Sequence, residues 1–63
     1  MASPVLPVAP DVVQKVRALV DRLGERQAGL ALGLSPLTVF RILAGSPVTR
    51  GTLLQLERAL AAA

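Results

Sequence analysis

The sequence predicts an all-α domain, a compact bundle of four short helices. Hydrophobic residues make up 52% of its 63 positions, with Leu, Val and Ala dominant. Leu and Ala favour helix over strand. Apolar residues recur at helical spacing, and Gly24, Gly33 and Gly45 punctuate them where helices would end. The length bounds the chain to one domain, read as a flexible or packing N-terminal arm over 1–10 and a helical domain over 11–63.

The arm carries Pro4, Pro7 and Pro10, which disfavour helix in themselves and in the residues before them. Val5, Leu6 and Val8 either float with it or pack on the domain or a second copy. A first helix is expected over 12–23, capped by Asp11 with Gln14 three residues on. Its Val12, Val13, Val16, Leu19, Val20 and Leu23 follow a 3.6 period, and Gly24 is placed to end it.

A second helix is expected over 25–32, with Ala28 and Leu32 on one face. Gly29 inside it costs about 1 kcal/mol of helix propensity. A close crossing with another helix would explain it. Gly33 is expected to take a positive φ, and Leu34 to return to the core. Ser35 then caps a third helix whose first turn holds Pro36, where a missing donor is harmless. This helix runs over 35–44 and stops at Gly45, and Pro47 prevents a restart. A fourth begins near Arg50 with Thr49 as cap and Val48 stapled towards Leu53. Leu53, Leu56, Ala59 and Leu60 form its inward stripe, with Leu54 beside it.

The middle pair is more specific than an ordinary helical hairpin. Ala28, Leu32, Leu34, Val39 and Ile42 stand where two roughly perpendicular helices need inward apolar residues. Gly29 lies four residues before the turn glycine, Gly33. This layout is that of a helix-turn-helix core. With the string GLSPLTVFRILAGSPVTRGTL, it resembles the bacterial helix-turn-helix regulators of the phage-repressor and LacI-type superfamily. The resemblance covers about 25–60, more than half the chain, and its motif supports the fold more strongly than DNA binding.

The resemblance implies that the helix over 35–44 enters the major groove of double-stranded DNA. Ser35, Pro36, Leu37, Phe40, Arg41 and Ala44 would face outward. Base contacts are then expected from Ser35, Leu37, Phe40 and Arg41, and phosphate contacts from Arg26, Thr49 and Arg50. Leu37 and Phe40 offer only apolar contact, such as to a thymine methyl. Typical reading helices carry polar side chains where this one has Pro36, Leu37 and Phe40, and Glu25 stands where repressors often present a phosphate-binding Gln. Leu37 and Phe40 equally suit burial within the monomer or contact with another protein; Arg41 and Arg50 equally suit solvated surface positions.

Seven basic and four acidic residues give a net charge of +3, a sign suited to a polyanion but of modest size. A domain this short is marginal alone, burying about 60% of its unfolded surface. It has no Cys or His, so apolar packing, an oligomer or a partner must stabilise it. The apolar supply makes a homodimer the expectation. No apolar run approaches the roughly 18 residues of a membrane span, and the Pro-containing start lacks a basic signal region. A cytoplasmic location is therefore the default expectation. Without His, Cys or a glycine-rich phosphate loop, neither enzyme nor cofactor is expected, and no metal site or small-molecule substrate is inferred. The function expected is DNA binding in transcription regulation. The alternative is a protein-interaction or dimerisation module on the same fold.

Overall fold

The computed structural model describes residues 5–62; positions 1–4 of the arm and position 63 lie outside them. The chain runs β1 (Val5–Leu6), α1 (Pro10–Leu23), α2 (Glu25–Leu32), α3 (Pro36–Leu43), β2 (Val48–Thr49) and α4 (Arg50–Ala62). It is an all-α bundle of four helices with one small ladder added. α1 packs on α2 and α3, and α2 packs on α3 and α4. The radius of gyration, 10.9 Å, is that of a compact chain of this length.

α1 starts two residues earlier than the sequence suggests, and Asp11 is not its cap. Ala9 is the N-cap, with extended backbone and no side-chain cap bond. Its carbonyl accepts from the Val12 and Val13 amides, both at 3.0 Å. The physical reason is Pro10. Its fixed φ suits the first helical position, and its missing N–H removes a donor that would lack a partner there anyway. Asp11 falls inside the first turn, where its charge complements the helix dipole. α2 occupies 25–32 as expected, α3 the central part of 35–44, and α4 starts at Arg50.

The ladder is the one element absent from the sequence reading. β1 and β2 pair antiparallel, Val5 opposite Thr49 and Leu6 opposite Val48. Leu6 precedes Pro7 and is thereby biased towards extended backbone. The described part of the arm is thus tied to the start of α4, while Val8 is half-buried against the core.

Every helix and β2 contributes to one core. Val16 comes from α1, Ala28 and Leu32 from α2, Val39 and Ile42 from α3, Val48 from β2 and Leu56 from α4. Leu34, Leu53, Ala59 and Leu60 are half-buried against it. No polar or charged residue is buried among the described residues. The core is therefore held by apolar packing, which is non-directional and scales with the area removed from water.

Candidate nucleic-acid interface

The junction of α2 and α3 is built around two glycines. Leu34 N–H donates to the Gly29 carbonyl at 2.9 Å, and Gly33 N–H to the Leu30 carbonyl at 3.3 Å. With Gly33 left-handed at φ 70°, these two bonds close a Schellman motif, and Leu34 folds back towards the core. A Cβ on Gly29 would stand 2.9 Å from the Leu34 carbonyl oxygen. The tight approach that Gly29 permits is thus between α2 and the turn itself, with Val39 of α3 just beyond at 3.8 Å.

Gln55 completes this junction from α4. Its Nε2 donates to the Leu32 carbonyl at 3.2 Å, satisfying an acceptor that the end of α2 leaves open. A Cβ on Gly33 would lie 2.6 Å from that same nitrogen. Glycine here therefore serves both the backbone angle and the clearance for Gln55. Nothing in the sequence marks this bond, because its partners are 23 residues apart.

α3 is set by a hydroxyl pair at its start. Ser35 Oγ accepts from Thr38 N–H at 3.2 Å and lies 2.9 Å from Thr38 Oγ1. The start of α4 repeats the device. Thr49 Oγ1 accepts from Thr52 N–H at 3.3 Å and donates to Thr52 Oγ1 at 3.0 Å. Both sites read Ser/Thr-x-x-Thr in the sequence, Ser35 to Thr38 and Thr49 to Thr52. That repeat is the signal in the sequence for Thr38 and Thr52, neither of which is among the expected contact residues.

Val39 and Ile42 turn one face of α3 into the core. The opposite face is open: Leu37 is 59% and Phe40 62% exposed, with Arg41 and Ala44 exposed beside them. Leu37 and Phe40 are therefore not covered by the arm, by α4 or by any other described part of the monomer. Leu30 of α2 is also exposed, at 71%. Arg26 stands exposed in the first turn of α2, next to exposed Glu25, and Arg50 is exposed at the start of α4.

Among the expected contact residues, the structure brings Arg41 and Thr49 to one cavity of about 150 Å³. Its other walls are Val5, Thr38, Pro47, Val48 and Thr52. Arg26, Arg50, Ser35, Leu37 and Phe40 do not line it. A second cavity, of about 300 Å³, lies between the start of α1 and the end of α4, where Asp11, Lys15 and Glu57 face it with Val12, Leu60 and Ala61. Among the described residues, no three His, Cys, Asp or Glu side chains gather as a metal site, and no helix is long and apolar enough to cross a membrane. Comparison with protein-family models, curated proteins and solved structures finds no match to this chain.

Proposed function

We propose that the chain is a sequence-specific double-stranded DNA-binding domain acting in transcription regulation, with α3 seated in the major groove. The observation that carries this reading is the α2–turn–α3 unit. A Schellman turn at Gly33 and close approach at Gly29 hold α3 against the core by Val39 and Ile42, leaving its outer face open. A rigidly backed helix with one free face is what insertion into a groove about 12 Å wide requires. Leu37 and Phe40 supply apolar contact suited to thymine methyl groups, and Arg41 supplies donors for a base edge or a phosphate. Ser35 is the remaining candidate for a base edge. Arg26, Thr49 and Arg50, on either side of α3 in the chain, are the candidates for backbone contact.

Selection from random-sequence duplex pools across a salt series tests this. Enrichment of a short motif is the expected result. Paired half-sites about 34–36 Å apart would show two copies binding as a homodimer. Absence of enrichment, with weak attraction gone by about 150 mM salt, would leave only generic charge attraction and overturn the reading.

A second reading is favoured by one observation, the exposure of Leu30, Leu37 and Phe40. An exposed aromatic within an apolar surface is suited to the centre of a protein interface. On this reading the same fold docks a protein partner or a second copy instead of DNA.

A further inference from the structure

The cavity between α3 and the start of α4 has an unusual chemistry for so small a chain. Its polar side chains are Thr38, Arg41, Thr49 and Thr52, and no carboxylate lines it. The larger cavity differs in kind, with two carboxylates facing one ammonium. The hydrogen bonds of the threonine cavity leave donors over. Thr49 spends its hydroxyl proton on Thr52 Oγ1, while its own oxygen accepts from the Thr52 amide. The Thr52 hydroxyl proton therefore has no acceptor among the described residues. The Ser35–Thr38 pair likewise holds two hydroxyl protons and uses one between them. The side-chain hydrogen bonds of the described residues engage Ser35, Thr38, Thr49, Thr52 and Gln55 and never a guanidinium, so the fork of Arg41 also keeps its donors.

A concave site with one cation, a surplus hydroxyl donor and no competing carboxylate is complementary to an oxyanion. We infer that this cavity binds a tetrahedral phosphate oxyanion, and, resting on the DNA reading above, that its occupant is one backbone phosphate of the duplex. Arg41 then clamps the backbone instead of reading a base, and Thr38 and Thr52 join the contact residues. Base discrimination falls to the apolar face of Leu37 and Phe40 with Ser35. Val5 forms one wall of the cavity, so the β1–β2 ladder shapes the phosphate site as well as tying down the arm.

The test measures affinity of the wild type, Arg41→Ala, Thr52→Val and Thr52→Ser for several duplexes of different sequence, each over a salt series, with thermal melts confirming that the variants fold. Arg41→Ala is expected to weaken binding by the same factor on every duplex and to lower the log–log salt slope by about 0.9, the contribution of one phosphate. Thr52→Val is expected to weaken binding about ten- to a hundredfold, evenly across sequences, as loss of one charge-assisted hydrogen bond would, and Thr52→Ser to restore it. Relaxed preference at a single base position in Arg41→Ala with an unchanged slope, or wild-type affinity in Thr52→Val, would overturn the assignment while leaving DNA binding intact. If the wild type binds no duplex, the DNA reading fails, and titration of inorganic phosphate followed by the Thr52 amide and Arg41 side-chain NMR signals decides the site alone. Saturable shifts at both groups in the wild type, with that of the Thr52 amide lost in Arg41→Ala, would retain the oxyanion site, and shifts that do not saturate would remove it.

Discussion

Glycine plays opposite roles at two helical positions of this chain, and the difference is measurable. At Gly29 an added methyl would meet a backbone carbonyl, that of Leu34, at 2.9 Å. A backbone atom held in a hydrogen-bonded turn cannot swing aside, so the turn itself would shift. Overpacking of this kind costs about 1–3 kcal/mol, against about 1 kcal/mol that alanine returns in helix propensity. Gly29→Ala is therefore expected to be less stable than wild type, by up to about 2 kcal/mol, in urea unfolding. At Gly51, in the first turn of α4, an added methyl meets nothing within 4 Å. Gly51→Ala is expected to be more stable by up to about 1 kcal/mol, since only the entropy of the unfolded chain changes. Equal stability of Gly29→Ala and wild type would show that α2 and the turn have room to spare.

The elements are short, so their ends count for more than their middles. α2 and α3 have eight residues each, too few for stability as isolated helices. Each depends on its caps and on the face that it buries. α3 loses the bond to the Thr38 amide if Ser35 is replaced by alanine. Ser35→Ala is expected to cost about 1 kcal/mol, and Ser35→Gly only a few tenths. Chemical denaturation of the two variants separates the cap from the hydroxyl pair. A loss as large in the glycine variant as in the alanine variant would assign the stabilisation to the Ser35–Thr38 side-chain bond. The tie between Gln55 and the Leu32 carbonyl acts at the same scale, because it joins the end of α2 to the middle of α4.

Across the whole molecule, one apolar core and one apolar outer face stand on opposite sides of α3. A 63-residue domain is expected to have only about 3–9 kcal/mol of stability. Ile42 is fully buried, and Ile42→Ala is expected to cost about 2–5 kcal/mol, a large share of that total. Phe40, at 62% exposure, is expected to be replaceable by serine within about 0.5 kcal/mol. Thermal melts of Phe40→Ser over a range of protein concentrations test this directly. Unchanged melting at every concentration is the outcome expected of a face kept for DNA. Destabilisation that depends on concentration would mean that a second copy covers Phe40, and would favour the protein-docking reading.

The local signals were legible along the chain. Gly33 at the turn, Ser35 and Thr49 at helix starts, and the apolar spacing of Val16, Ala28, Leu32, Val39, Ile42 and Leu56 all report short-range chemistry, which a sequence carries directly. Asp11 has the look of a cap only if Pro10 breaks the helix, whereas the first helical position accommodates a proline and moves the cap to Ala9. Short-range chemistry thus establishes the helix count, the turn between α2 and α3, and most of the inward residues, although Leu23, at the end of the first apolar stripe, is 41% exposed. The contacts between distant parts arise only on packing: Val5 and Leu6 beside Val48 and Thr49, Gln55 over Gly33, and Arg41 sharing a cavity with three threonines. The reason is that helical period and capping act within a few residues, while a ladder, a cross-helix bond or a cavity exists only once separate elements have packed.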